Sequence, residues 1–175
     1  GNNKMQVLMV GAPILLIKKY QRILVMAGLN LISVETEILS VIRSLTYPFT
    51  FAKKTPPPTV IISINTVSTS LAIIKDGILI FTYSIPTGGA AINKVIESDF
   101  GLNSAQAEEY KKAYGISKEG VGQNISKAVE PILSSILIEI KKALDFYSQK
   151  YNNDAPIQQI LLSGGTAKLP GVDAF

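Results

Sequence analysis

The spacing of hydrophobic positions in the first part of the chain predicts alternating strands and helices. Short apolar runs at residues 4–13 and 30–35 predict two buried strands. Apolar side chains at helical spacing predict helices at residues 13–27 and 36–45, the second with Thr36 as its N-cap. This order of elements favours parallel pairing within an α/β layer.

A proline-rich linker and a β-rich segment follow. Residues 46–58 end in three consecutive prolines, which predicts an extended, stiff linker and a subdomain boundary. Residues 59–89 are rich in β-branched side chains and predict three antiparallel strands. A hydroxyl-rich turn at residues 65–67 separates the first two strands, and Asp76-Gly77 has the composition of a tight hairpin turn.

The remaining part of the chain predicts three helices and one further strand. Residues 124–150 keep apolar side chains at helical spacing, with Pro131 at a kink or at the first turn. The apolar stripe is too wide for an exposed helix, so we expect it to cover one face of the sheet. The other predicted elements are helices at residues 90–98 and 104–113 and a strand at 157–163 that joins the sheet.

The composition removes several classes of chemistry. The 175 residues include no Cys and no His, which excludes disulfides, Cys–His and Ser-His-Asp nucleophiles, and zinc sites built on thiolate or imidazole. Hydrophobic residues make up 47% of the chain, so a substantial core is expected. No segment has the layout of a signal peptide or the length of a membrane span, which favours a cytoplasmic protein.

The net charge of +4 is distributed unevenly along the chain. Residues 1–60 carry seven Lys or Arg against two Asp or Glu, whereas residues 61–175 carry ten against eleven. A basic N-terminal part suits an anionic surface or partner, although scattered solvated lysines explain the same count. The basic residues are not interleaved with aromatic residues, so no nucleic acid is expected as a partner.

Two turns at strand ends are candidate sites for a phosphate or nucleotide. The hydroxyl-rich turn follows the first strand of the sheet, and Gly164-Gly165 follows the last predicted strand. Such turns present backbone amides to a ligand, and glycine allows the ligand to approach closely. Either turn alone is weak evidence, because most glycine pairs only connect elements. The two together, in this order, favour a ligand site.

The segments that contain these turns resemble a known family. The similarity is carried by the runs TVIISINTVSTSLAIIKDGILIFTYSIPTGG, EPILSSILIEIKKALDFY and ILLSGGTAKLPG. These runs resemble the second half of the actin-like ATPase superfamily, and within it the type IV pilus assembly protein PilM family, a relative of the cell-division protein FtsA. The resemblance implies an α/β, actin-like (ribonuclease H-like) fold. Its mixed sheet has three antiparallel strands plus parallel strands, with helices packed on the faces.

The resemblance implies a binding role for the glycine turn. In this family the paired glycines let the adenosine of ATP lie against the backbone, and Gly164, Gly165 and Thr166 occupy the matching positions. The alternative is a turn that only caps the last strand and docks the next helix. We expect the adenosine role, because the surrounding segments match as well.

The hairpin that faces the phosphates departs from the family pattern, which reads Asp-Ile-Gly followed by hydroxyl residues. The matching positions here are Ser63, Asn65, Thr66, Ser68 and Thr69. Ser63 replaces a carboxylate that acts through magnesium and water, and Asn65 replaces the glycine. The hydroxyl groups can bond phosphate oxygens or simply satisfy their own turn. We therefore expect no catalytic residue and no metal ligand in this chain.

The resemblance also implies a division into subdomains. Residues 1–54 match part of subdomain 1C and a returning segment of 1A, and residues 55–58 form a linker. Residues 59–175 match subdomain 2A, with a short 2B-like insertion at about residues 99–123. The family's first phosphate loop has no counterpart, so the chain is expected to be a fragment. ATP and Mg²⁺ are expected only in a full-length protein, with neither bound to this fragment.

The implied function is that of a cytoplasmic actin-like scaffold in the type IV pilus inner-membrane assembly platform. Such a scaffold binds nucleotide between its lobes and the cytoplasmic tail of a PilN-like inner-membrane protein. It reaches the membrane only through partners, and self-association is a further expectation. The helix at 13–27 and the strand at 30–35 match the region of the partner groove. The alternatives are an active ATPase or sugar-kinase-like phosphotransferase, an FtsA-like filament protein, and a type II secretion platform protein.

Overall fold

The computed structural model describes residues 7–117, 120–151 and 156–175. The chain divides into two compact units, with the boundary between Ser40 and Val41. Within these described ranges, no helix is both long enough and apolar enough to cross a membrane.

The first unit contains helix α1 (Ile14–Met26), which confirms the helix predicted at residues 13–27. Pro13 precedes the helix in an extended conformation, and its carbonyl accepts the amide of Leu16 at 3.0 Å. Gly28 follows with a left-handed φ of +74°. Glycine reaches this region without steric cost, so Gly28 ends the helix as expected.

The two strands predicted in this unit are wrong. Residues 7–13 and 30–35 form neither strand nor helix, and residues 4–6 of the first prediction lie outside the described part of the chain. A strand needs a neighbour to satisfy its backbone amides and carbonyls. The described residues of this unit include no paired strand, so the apolar runs lack the partner that would make them strands.

Helix α2 (Glu37–Phe51) is longer than the helix predicted at residues 36–45. Thr36 precedes it as expected, and its carbonyl accepts the first amides of the helix. Pro48 lies inside the helix and removes one amide donor, but its own carbonyl accepts the amide of Ala52 at 3.1 Å. The helix therefore continues past the proline. The linker predicted at residues 46–58 begins only after Phe51, where the helix ends.

The second unit is built on a four-stranded sheet with the order β3-β2-β1-β4. Its strands are β1 (Thr59–Ile64), β2 (Thr69–Lys75), β3 (Ile78–Ile85) and β4 (Gln159–Ser163). Strand β1 pairs antiparallel with β2 and parallel with β4, which confirms the predicted mixed sheet. Asp76 and Gly77 have φ of +54° and +77°, the backbone that a tight turn between β2 and β3 requires.

Three further α-helices follow the first strands of this unit and confirm the predicted ones, each longer at one or both ends. They are α3 (Gly89–Phe100), α4 (Ser104–Tyr114) and α5 (Gly120–Tyr151). Asn103 caps α4, because its side chain accepts the amide of Gln106 at 2.9 Å while the Gln106 side chain accepts the Asn103 amide. Pro131 lies inside α5 and does not begin it.

Helix α5 contacts two hydrophobic clusters. The first joins the sheet to the second half of α5 and includes Val60, Leu71, Ile73, Ile136, Ile140 and Tyr147. The second joins α3, α4 and the first half of α5 and includes Ile92, Ile96, Ala107, Ile125, Val129 and Leu169. Ile132 contacts both clusters. The predicted packing of the long helix on the sheet is therefore confirmed.

The turn after β4 depends on glycine at one position and not at the next. Gly164 has a φ of +90°, and a Cβ there would overlap the carbonyl oxygen of Ile64. Gly165 has a helical φ of −63°, and a Cβ there would meet nothing within 4 Å. Gly164 therefore allows the end of β4 to lie directly against the end of β1.

Replacing each glycine with alanine should change stability in opposite directions. Gly164→Ala should lower the free energy of unfolding by about 2–4 kcal/mol, from left-handed strain and overlap with Ile64. Gly165→Ala should raise it by about 0.4–1 kcal/mol, since alanine restricts the unfolded chain at no steric cost. Urea unfolding followed by circular dichroism measures both. Equal effects of the two substitutions would show that the turn has another conformation.

Candidate functional site

Three backbone turns meet at one end of the sheet. They are the hairpin turn (residues 65–68), the start of α3 (residues 88–89) and the glycine turn (residues 164–165). The amides of Gly89 and Ala90 donate to the carbonyls of Asn65 and Thr66, each at 2.8 Å. A Cβ on Gly88 would overlap the Asn65 carbonyl oxygen. Glycine at this position therefore lets the hairpin turn dock on the first amides of α3.

A cavity of about 190 Å³ opens where these turns meet α4. Each turn contributes to its wall through Asn65, Thr66, Gly89, Gly165 and Thr166. A Cβ on Gly89 would lie 2.5 Å from Thr166 Oγ1 and 3.5 Å from Lys111 Nζ. The absence of a side chain at Gly89 therefore leaves room between the glycine turn and α4.

The structure brings residues from both predicted halves of the site into this one cavity. Gly165 and Thr166 were predicted on the adenosine side, and Asn65 and Thr66 on the phosphate side. Gly164 does not line the cavity and instead supports the turn from behind, against β1. The binding roles themselves stay predictions.

The other residues of the predicted phosphate hairpin already have hydrogen-bond partners within the protein. The Asn65 side-chain amide donates to Ser63 Oγ at 3.2 Å, and Ser63 is buried within β1. Thr69 is also buried, and its hydroxyl donates to the carbonyl of Thr87 at 2.9 Å. The Ser68 carbonyl accepts the Asn65 amide at 2.9 Å. Where the family pattern has a carboxylate, this chain therefore has the Ser63 hydroxyl, which already accepts a hydrogen bond from the Asn65 side chain.

Helices α3 and α4 add a polar cluster that the sequence interpretation missed. Glu108 Oε2 accepts the Asn93 amide at 2.7 Å and the Lys111 ammonium at 2.6 Å. Glu108 Oε1 pairs with the Lys112 ammonium at 3.2 Å. Lys111 and Lys112 follow Glu108 by three and four residues, a spacing that is typical of ion pairs on one helix face. Only the fold shows that this helix face lines the cavity.

The charges of the cluster keep Glu108 ionised. The pKa of Glu108 is lowered from 4.5 to about 2, and the largest cause is the hydrogen bond from the Lys111 ammonium. Hydrogen bonds from Asn93 and Lys112 contribute to this lowered pKa, while burial opposes it. Lys111 is only 6% exposed, so its charge lies inside the wall of the cavity. Glu108 is therefore ionised at neutral pH and accepts hydrogen bonds without donating any.

The cavity can hold a small polar ligand. It presents lysine ammonium groups as donors, a carboxylate and amide oxygens as acceptors, and a glycine-lined wall for a flat or bulky group. Among the described residues, no group of three or more acidic side chains could hold a metal ion. The chemistry of the wall suits binding through hydrogen bonds and charge.

Glu108→Gln should remove a pH-dependent part of the stability. The pKa of Glu108 is lower in the folded protein than in the unfolded chain, so its ionised form stabilises the fold above about pH 4.5. This contribution should disappear as the pH falls through about 2. Near neutral pH, the free energy of unfolding of the wild type should exceed that of the variant by about 1 kcal/mol or less, because the carboxylate is partly exposed.

Urea unfolding between about pH 7 and pH 2 measures this difference. Glu109→Gln, on the exposed side of the same helix, is the matched control. A difference between wild type and Glu108→Gln that does not shrink at low pH would contradict the ion-pair geometry.

Comparison with known proteins places this fold among actin-like structures. No curated protein matches the chain. The chain is similar to a PilM-PilN type IV pilus biogenesis complex, with a TM-score of 0.74 and 22% identity over 90% of this chain and 43% of that chain. It is also similar to MreB 5 of Spiroplasma citri bound to AMPPNP, with a TM-score of 0.68 and 19% identity over 94% of this chain and 57% of that chain.

A third similar structure is the ethanolamine utilization protein EutJ from Carboxydothermus hydrogenoformans. Its TM-score is 0.66 and its identity 23%, over 88% of this chain and 50% of that chain. At these identities the similarity establishes the fold, and the predicted actin-like fold is confirmed. The chain spans about half the length of the proteins it matches.

The family follows from the match along the sequence itself. The family model of the type IV pilus assembly protein PilM matches residues 2–175, which is nearly the whole chain. This extent includes both compact units and every residue that lines the cavity. The chain therefore belongs to the type IV pilus assembly protein PilM family.

Proposed function

We propose that the chain is the nucleotide-binding part of a cytoplasmic scaffold in the type IV pilus assembly platform. Family membership supports the role in pilus assembly. The cavity supports nucleotide binding, because the turns predicted to hold adenosine and phosphate share its wall. The assignment of residues 1–54 to subdomains 1C and 1A, and of residues 59–175 to 2A with a 2B-like insertion, belongs to the same proposal.

The residues of the cavity fit the nucleoside end of a nucleotide. Gly165 and Gly89 leave two stretches of wall without side chains, where a base or sugar can approach the backbone. Glu108 and Lys111 supply an acceptor and a donor beside this space. A bound nucleotide would thereby contact the hairpin turn, α4 and the glycine turn together.

The phosphate end of the site does not fit hydrolysis. Ser63 supplies no carboxylate to magnesium, and its hydroxyl is bonded to the Asn65 side chain. A serine hydroxyl is also too weak a base to activate water without a partner such as histidine, which the chain lacks. We therefore propose that nucleotide acts as a ligand that stabilises an arrangement of the scaffold, without turnover.

The partner in this proposal is the cytoplasmic tail of a PilN-like inner-membrane protein. A similar solved structure is a PilM-PilN complex. Residues 7–34 are largely exposed, rich in apolar side chains, and carry Lys18, Lys19 and Arg22 without any acidic residue. Such a surface suits an amphipathic peptide with acidic groups. Localisation at the inner face of the membrane would follow from this partner, and self-association stays a separate prediction.

Titration of the chain with Mg-ATP should produce weak, localised binding. We expect a dissociation constant in the millimolar range, because the cavity holds only the nucleoside end firmly. The backbone amides of Gly89, Lys111 and Gly165 should show the largest shifts in nitrogen-15 NMR spectra. Calorimetry at micromolar concentration should detect no heat of binding.

Lys111→Met should weaken these shifts, whereas Lys94→Met, on the exposed side of α3, should leave them unchanged. Two results would contradict the nucleotide proposal. One is the absence of shifts around the cavity at millimolar ATP, and the other is an equal response of both variants.

A synthetic peptide with the sequence of a PilN-like cytoplasmic tail should bind the first unit. NMR shifts should concentrate in residues 14–34, because the apolar and basic side chains there are exposed. Leu15→Glu should abolish the shifts, and Ile138→Glu, at an exposed apolar position of α5, is the matched control. Shifts confined to the second unit would contradict the proposed partner surface and leave the nucleotide proposal intact.

A further inference from the structure

Strand β3 forms one edge of the sheet. Among the described residues, β2 is the strand that pairs with it, and no strand pairs with its outer side. Its eight residues carry no charged side chain and no proline. Edge strands of monomeric proteins usually carry Lys, Pro or a bulge that prevents pairing with another strand. Of these devices β3 has only a bulge, at Ile80, where its register with β2 shifts.

A groove lies beside this edge, between β3 and α5. It has a volume of about 300 Å³ and is lined by Phe81, Tyr83, Lys142, Ala143 and Phe146. The rings of Phe81 and Phe146 have their centroids 5.7 Å apart. Tyr83 and Phe146 are 39% and 52% exposed, so the aromatic wall of the groove is left partly open to solvent.

The charged groups beside the groove restrict what can occupy it. Glu139 Oε1 accepts the Lys142 ammonium at 2.7 Å, and Glu139 Oε2 accepts the Tyr83 hydroxyl at 3.0 Å. The Lys150 ammonium lies over the Phe146 ring, 5.7 Å from its centroid, at one end of the groove. The centre of the groove therefore holds a neutral ion pair among aromatic rings. An uncharged strand with aromatic side chains complements it better than an acidic or basic peptide does.

The part of β3 that follows the bulge is itself such a strand. Two copies aligned antiparallel about Thr82 would place Thr82 opposite Thr82, and Phe81 opposite Tyr83 of the other copy. Phe81 and Tyr83 lie on the face of the sheet that α5 covers, so both aromatic pairs would lie on the groove side. Threonine pairs and aromatic pairs are among the favourable cross-strand pairs. The edge is therefore complementary to a second copy of itself.

We propose that β3 is a self-association edge, at which two copies of this chain pair antiparallel about Thr82 and join their sheets into one. The outer backbone groups of each strand bond those of the other copy, and the aromatic side chains close the two grooves. Such an interface uses the same surface on both copies and closes at the dimer. The inference is independent of the proposed nucleotide and peptide binding, because the edge contributes nothing to the cavity or to the first unit.

Sedimentation equilibrium and nitrogen-15 NMR over a concentration series test this dimer. The chain should dimerise reversibly, and the amides of residues 81–84 should shift most with concentration. Thr82→Lys places two like charges opposite each other and should raise the dissociation constant at least roughly tenfold. Thr82→Val keeps a β-branched side chain and should dimerise as wild type does. Ile160→Lys, at an exposed apolar position of the other edge strand, is the matched control and should also dimerise normally.

A single thiol gives a second measurement, because the chain contains no cysteine. Oxidation of Thr82→Cys with copper phenanthroline should join two copies, since the thiols would lie opposite each other. Ile160→Cys should cross-link much more slowly. Circular dichroism confirms that each variant is folded.

Three results would overturn the inference. They are a chain that stays monomeric at NMR concentrations, equal weakening of the dimer by Thr82→Lys and Ile160→Lys, and equal cross-linking of the two cysteine variants. A monomer whose β3 pairs instead with an extended peptide from another protein would overturn it as well. None of these results bears on the proposed nucleotide function.

Discussion

The site depends on direct contact between backbone turns at the end of the sheet. Gly88 and Gly164 lie where any side chain would overlap a carbonyl oxygen of the hairpin, that of Asn65 and of Ile64 respectively. With these two contacts in place, the first amides of α3 bond the hairpin turn and the end of β4 lies against β1. The cavity exists because glycine removes the atoms that would otherwise separate these turns.

The position of α4 relative to the glycine turn depends on a second close contact. The amide of Ile116 donates to the carbonyl of Pro170 at 2.7 Å. Gly115 has a φ of +51°, and a Cβ there would overlap Pro170. This contact joins the end of α4, which carries Lys111, to the segment that follows Thr166. The charged wall and the glycine wall of the cavity are therefore held together by backbone, and helix α5 supports both through its two hydrophobic clusters.

The sequence predicted the second unit well because its signals are local. The hairpin strands, the Asp76-Gly77 turn and the helical spacing of α5 each follow from neighbouring residues. The strands predicted at 4–13 and 30–35 failed because strand formation requires a partner that sequence periodicity does not reveal. The cluster of Glu108 with Asn93 was missed for a related reason. Helical spacing showed an ion pair on α4, but only tertiary packing places α3 beside it and turns that pair into a cavity wall.

The two ends of the cavity differ in how their polar side chains are bonded. At the hairpin, Ser63 and Asn65 bond each other, so this end is satisfied without any ligand. On the side of α3 and α4, the Glu108 carboxylate and the buried Lys111 ammonium are bonded to each other in the wall of the cavity. In the proposed nucleotide site, a hairpin without a carboxylate beside a charged wall on α4 is better suited to hold a nucleotide than to cleave one.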